Sequence, residues 1–148
     1  MVQSGMFFGY YEHSLDNKGR LVIPSKMRSE LGLVVYVNKG FDGALSLYTK
    51  EGYQNLLNES KKRPFNKKNS RDYLRILFAS TYELEIDKQG RIQLPSQMIE
   101  KYSLGKDFVI IGVGDHVELW DMKTYKEYEE KAIGEFEKIA ESLQDDDE

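Results

Sequence analysis

One fourteen-residue pattern is written twice in this chain, and no other feature of the sequence restricts the fold as strongly. It runs Leu15-Asp16-Asn17-Lys18-Gly19-Arg20-Leu21-Val22-Ile23-Pro24-Ser25-Lys26-Met27-Arg28. It returns as Ile86-Asp87-Lys88-Gln89-Gly90-Arg91-Ile92-Gln93-Leu94-Pro95-Ser96-Gln97-Met98-Ile99. Each copy reads as the end of a strand, a tight turn, a second strand and a helix. Gly19 and Gly90 stand where the turn requires a positive φ, which glycine adopts without steric cost. Asp16 and Asp87 are turn formers whose carboxylates can accept from backbone N–H groups two residues on. Pro24 and Pro95 close the strand and open the helix, where a missing N–H costs little.

The duplication extends past this motif. Leu31-Gly32 and Leu104-Gly105 read as the glycine-terminated ends of the two short helices. The apolar runs Leu33 to Val37 and Phe108 to Ile111 read as strands buried on both faces. Turns Gly40-Phe41-Asp42-Gly43 and Gly112-Val113-Gly114-Asp115 follow. Leu45-Ser46-Leu47-Tyr48 and Val117-Glu118-Leu119-Trp120 then alternate, with their apolar residues on one side. Thr49 and Asp121 are N-caps for helices that carry Tyr53 and Tyr125 at the same offset. Corresponding residues lie 71 to 73 positions apart. A unit of this size leaves an apolar face and strand edges uncovered, so the two repeats are expected to interlock around one shared barrel.

The chain divides on this reading into a first repeat over 6–53, a helical linker over 54–80, a second repeat over 81–125, and a C-terminal helix with an acidic tail over 126–148. Residues 1–5 read as a non-native extension ahead of a natural start at Met6. Within the linker, Glu51 to Glu59 and Asn69 to Ala79 have helical patterns. Between them and within the second lie seven basic residues, Lys61, Lys62, Arg63, Lys67, Lys68, Arg71 and Arg75, expected to form a solvated surface. Tyr125, Tyr128, Ala132, Phe136, Ile139 and Leu143 form a helical stripe that needs a partner surface. Asp145 to Glu148 is expected to be disordered.

Charge is divided between the halves. Residues 1–80 hold 13 Lys and Arg against 7 Asp and Glu, whereas residues 81–148 hold 8 against 18. A basic face therefore coexists with an overall charge of −4. The absence of cysteine excludes a disulfide framework and thiolate chemistry. No apolar run approaches the ~18 residues of a membrane span and no signal peptide is evident, so a cytoplasmic location is expected. His13 and His116 lack a second ligand at metal spacing, with His116 placed to order the turn beside Asp115. Neither a nucleophile with an adjacent base nor a phosphate-cradling glycine loop is present, so no catalytic, metal or cofactor site is expected.

The doubled motif, the opening Met6-Phe7-Phe8-Gly9-Tyr10-Tyr11-Glu12-His13-Ser14-Leu15, and the stretch Asp115-His116-Val117-Glu118-Leu119-Trp120-Asp121 resemble the MraZ family. The resemblance covers residues 6–143. It implies a mainly β protein with short helices, built from two swapped-hairpin AbrB-like (double-split β-barrel) repeats interlocked in one chain. It also implies a nucleoid-associated transcriptional regulator that binds repeated double-stranded DNA elements in the promoter of the bacterial division and cell-wall gene cluster. Assembly into a homo-oligomeric ring is implied as well, with no membrane or small-molecule substrate as partner. An antitoxin-type interaction module of the same fold is the alternative.

The residues suit a DNA surface. Lys18, Arg20, Lys88 and Arg91 project from β-ribbons, a shape that the major groove admits, and Lys26 and Arg28 lie on the following helix. The second motif has Gln97 and Ile99 in place of Lys26 and Arg28. The Asp-to-Arg spacing alone fits either a turn-stabilising ion pair or a scaffold that aims a guanidinium outward. The two are compatible, with Asp16, Gly19, Asp87 and Gly90 as scaffold and the arginines as contacts.

Overall fold

The computed structural model describes residues 6–146. The first half contains β1 (Tyr10–Ser14), β2 (Arg20–Val22), α1 (Ser25–Leu31), β3 (Val34–Lys39), β4 (Leu45–Tyr48), α2 (Lys50–Ser60) and α3 (Lys68–Ala79). The second contains β5 (Tyr82–Glu85), β6 (Arg91–Gln93), α4 (Ser96–Lys101), β7 (Asp107–Gly112), β8 (Val117–Asp121), α5 (Met122–Ile133) and α6 (Phe136–Asp146). The order of elements is the same in both halves.

The halves interlock through their strands. A six-stranded antiparallel sheet has the order β1-β7-β8-β4-β3-β5, and a separate two-stranded ribbon joins β2 to β6. β1 pairs with β7, β5 with β3 and β4 with β8, so only the β3–β4 and β7–β8 hairpins are internal to one repeat. The registers define a pseudo-twofold axis. In the ribbon Leu21 faces Ile92, its own counterpart, and in the sheet Ser46 faces its counterpart Glu118.

Sheet and ribbon share one core. Leu21, Ile23, Ile92 and Leu94 from the ribbon side meet Val35, Val37, Leu47, Phe108, Ile110 and Leu119 from the sheet. Each fully buried aliphatic side chain contributes about 1.5–3 kcal/mol relative to exposure. A smaller cluster lies on the sheet's other face, where Val109, Trp120 and Ala44 pack with Met122 and Tyr125.

Several expectations hold. Gly19 and Gly90 have φ of 75° and 79°. Thr49 Oγ1 accepts from Gly52 N at 2.8 Å, and Asp121 Oδ2 accepts from Thr124 N at 3.3 Å, capping α2 and α5. Pro24 and Pro95 immediately precede α1 and α4. Phe108, Val109 and Ile110 are all buried, as a doubly covered strand requires.

Others are corrected. β1 and β2 flank a tight turn yet form no ladder with each other, because each finds its partner in the other repeat. The pairing gives a sheet and a facing ribbon instead of one continuous ring of strands. Leu33 is 80% exposed because it precedes β3, on the same face as buried Val35 and Val37 but beyond the end of the core; along β3 the outward Val34 and Tyr36 are half-buried, and Asn38 is buried. In β4, Ser46 is buried along with its apolar neighbours, because helices cover the outer face there. Gly32 ends α1 with φ 82°, but its counterpart in the second half is Ser103, with φ 53°, and Gly105 is not the stop. The C-terminal stripe is split between α5 and α6, and Ile133, Phe136, Ile139 and Leu143 stay exposed. α6 runs through Asp146, so the expected acidic coil is helical that far, and residues 147–148, like 1–5, lie outside the described residues.

Candidate nucleic-acid interface

Alternation along the ribbon settles which side chains face out. Leu21 and Ile92 point into the core at 0% exposure, so Arg20, Val22, Arg91 and Gln93 share the opposite face. Arg20 lies across from Gln93 and Arg91 across from Val22, which sets the two arginines on either side of the pseudo-dyad. Ladder bonds continue beyond the strands, from Ile23 N to Gly90 O at 2.8 Å and from Leu94 N to Gly19 O at 3.1 Å. The ribbon thus runs from one turn to the other over about 13 Å, at roughly 3.3 Å per residue.

Both turns are built alike. Asp16 Oδ1 accepts from the backbone N–H of Lys18 and of Arg20, each at 2.9 Å, while its Oδ2 accepts from Arg20 Nε at 2.6 Å. Asp87 repeats this with Gln89 N, Arg91 N and Arg91 Nε, all at 2.9 Å. The backbone N–H of Arg20 is the main cause that lowers the Asp16 carboxyl to about 2; burial opposes it, and the Arg20 guanidinium and Lys18 N–H add to it. Asp87 is lowered by the same set of donors, led by the N–H of Arg91. Both aspartates are thus ionised at neutral pH and hold the arginines by Nε.

The copies differ in one contact. Arg91 Nη1 also lies 3.8 Å from Asp16 Oδ2, so Asp16 touches both arginines. Arg20 and Arg91 side chains keep 28% and 23% of their surface exposed, enough for a flat partner to reach. Each helix rests on the opposite repeat's turn. Arg28 lies over Gly90, where a Cβ would sit 1.7 Å from its Nη1, and Ile99, the counterpart of Arg28, lies 3.9 Å from the equivalent point on Gly19.

Of the six basic residues singled out from the sequence, Arg20, Arg91 and Arg28 converge on the ribbon and its turns. Lys18 and Lys88 are exposed at the turn tips. Lys26 is exposed on α1 beside Phe8 and Tyr11, at the flank of this group. Gln93 was missed: its amide donates to the Lys18 carbonyl and ties the second strand to the first turn. Its signal was its place as the outward residue between buried Ile92 and Leu94. Of the basic residues after α2, Arg63 lies over the Tyr73 ring at 5.6 Å and Lys68 is paired to Asp72 at 2.6 Å. His116 Nδ1 meets Asp115 Oδ1 at 2.7 Å, ordering that turn. Among the described residues no cluster of His, Cys, Asp and Glu could hold a metal ion, and no helix is long and apolar enough to cross a membrane.

Interlocked repeats, a cross-repeat ribbon and paired Asp–Arg turns define a tandem swapped-hairpin protein. A family model described as "MraZ protein, putative antitoxin-like" matches residues 6–76 and again 77–147, and the chain belongs to the MraZ family. It is 43% identical over 141 residues to a protein of Mycoplasmoides gallisepticum named "Transcriptional regulator MraZ", covering 95% of this chain and 99% of the relative. Proteins of the same name from Heliobacterium modesticaldum and Caldanaerobacter subterraneus are 42% and 41% identical, over 96% and 93% of this chain and 99% and 96% of their own lengths.

Proposed function

We propose that this chain is a DNA-binding transcriptional regulator and that the outer face of the β2–β6 ribbon is its reading surface. One observation carries this most directly: Arg20 and Arg91 share that face, each aimed by an aspartate from its own turn. A two-stranded ribbon fits the roughly 12 Å major groove, and an arginine fork can grip guanine O6 and N7 for about 1–3 kcal/mol of discrimination. Lys18, Lys88, Arg28 and Lys26 then neutralise flanking phosphates, and Asp16, Gly19, Asp87 and Gly90 hold the turns. The names of the relatives support regulation of transcription and no finer detail. The resemblance drawn from the doubled motif is what suggests repeated elements upstream of the division and cell-wall gene cluster as the target, and the cytoplasm at the nucleoid as the place.

A single ribbon presents few cations, so one protomer binds weakly and linked copies on repeated sites gain avidity. The exposed stripe of Ile133, Phe136, Ile139 and Leu143 is apolar surface that association would cover, and a homo-oligomeric ring is the arrangement we propose. The same stripe favours a second reading, in which it docks a partner protein in antitoxin fashion; stoichiometric co-purification of another protein without DNA affinity supports that reading instead.

The test is a gel-shift titration with DNA from upstream of the chain's own gene. Arg20→Ala with Arg91→Ala lowers affinity on the order of a hundredfold and flattens the salt dependence, by about 0.9 in log–log slope for each phosphate no longer neutralised. Unchanged affinity and slope in a folded double variant reject the ribbon as the reading surface.

A further inference from the structure

Away from the pseudo-dyad, the two ends of the β2–β6 ribbon share one motif and are finished differently. Above Gly19, the place a Cβ would take is met by the Gln93 amide at 3.2 Å and by Ile99 at 3.9 Å. Gln93 belongs to the outer face of the ribbon, so the space above Gly19 opens on that face. The pseudo-dyad gives the space above Gly90 the same orientation. Val22, the counterpart of Gln93, has no amide to lay there. Arg28, the counterpart of Ile99, takes the place instead, and its guanidinium lies where a Cβ on Gly90 would stand. Gly90 is buried beneath it, whereas Gly19 is only half-buried.

The groups that finish the two ends differ in what they have left to offer. The Gln93 amide is neutral and already donates to the Lys18 carbonyl. Arg20 and Arg91 each commit Nε to an aspartate, and Arg91 Nη1 lies a further 3.8 Å from Asp16. Arg28 is half-buried, and among the described residues its guanidinium is paired with no carboxylate. A ribbon with equal ends would sit equally well either way round on a duplex. A phosphate contact at one end does not break that equality, because phosphates flank every base pair and carry no sequence. A base contact does break it, and the planar fork of an arginine matches guanine O6 and N7.

We propose that Arg28, besides neutralising a phosphate, reads a guanine at the Gly90 end of the ribbon and so sets the direction in which the ribbon lies on its DNA element. The inference rests on the ribbon being the reading surface. The Gly19 end, finished by Gln93 and Ile99, makes no matching demand. The element is therefore unsymmetrical about the pseudo-dyad, with the additional guanine on the Arg28 side.

The experiment uses the full-length chain and a duplex from upstream of its own gene, trimmed to one footprinted element. Each guanine in turn is replaced by 7-deazaguanine, which lacks the N7 acceptor. In a gel-shift titration one such replacement, off the centre of the element, weakens binding of the unaltered chain about tenfold. Arg28→Ile, which copies the second repeat, is indifferent to the same replacement. Arg28→Lys is indifferent too but keeps the salt dependence, since it retains the charge without the fork, and it serves where Arg28→Ile fails to fold. Direction is read separately. The chain has no cysteine, so an iron chelate on Asn17→Cys, at the exposed first turn, marks one end of the ribbon. It cleaves on one side of the element in the otherwise unaltered chain and on both sides once Arg28 is replaced. Two outcomes overturn the proposal: Arg28 variants that weaken every duplex by the same factor, and cleavage that stays one-sided without Arg28. If Arg20→Ala with Arg91→Ala still loses affinity, only the role of Arg28 falls; if that variant binds unchanged, the ribbon assignment falls with it.

Discussion

The two repeats agree where they face each other and diverge where they face away. Around the ribbon, Asp16 and Asp87, Gly19 and Gly90, and Arg20 and Arg91 occupy equivalent places with nearly the same hydrogen bonds. On the sheet's outer face and away from the axis, Asn38 and Tyr48 stand where the other copy has Ile111 and Trp120. The pseudo-dyad explains the contrast. A residue beside the axis packs against its own counterpart, so a change there alters both sides of one contact. A residue under α2 or α5 meets only its own repeat, and the copies can specialise independently.

That comparison can be broken most severely by cutting the halves apart. Residues 6–76 alone lack the partners of β1, β2 and β4, so no stable monomer is expected. The fragment either stays unfolded or dimerises with Ser46 facing Ser46 and Leu21 facing Leu21, and sedimentation distinguishes these from a folded monomer, which contradicts the interlock.

Next in size is the outer face. Trp120→Ala removes a buried, fully packed ring and costs about 3–5 kcal/mol in urea unfolding, whereas Tyr48→Ala, beside a cavity between the sheet and α2–α3, costs about 2 kcal/mol. Equal losses erase the distinction between the faces. Smaller still is the difference between the turns. Asp16 touches both arginines and Asp87 only one, so Asp16→Asn weakens DNA binding about tenfold and Asp87→Asn about threefold in the same gel-shift titration.

The smallest effect is that of pH. Both carboxyls are depressed in the folded chain, that of Asp16 to about 2 from an ordinary 3.8. Their contribution is therefore complete above about pH 5, declines as pH falls past the unfolded value, and is lost near the folded one. DNA affinity attributable to the turns stays flat from about pH 5 upward in a binding titration. A fall in that range traces to groups outside the turns.

Much of this was legible in the chain itself because it is local. Turn glycines, N-caps and the Asp-to-Arg spacing each depend on residues within four positions, and all took the expected form. Strand partners are not local. Tyr10–Ser14 alternates equally well beside β2 or β7, and only the three-dimensional closure selects β7. Ser103 was hidden because nothing about serine announces a positive φ. Leu33 was misjudged because a continuous apolar run does not reveal where along the strand the core begins.

The interlock also sets the order of events at the ribosome. Ser14 meets Asp107, 93 residues downstream, so the first strand leaves the exit tunnel long before its mate exists. At about 5–20 residues per second, that nascent edge stays open for roughly five to twenty seconds. A neighbouring polysome product could capture it in that interval, which makes translation speed across the second repeat a determinant of yield.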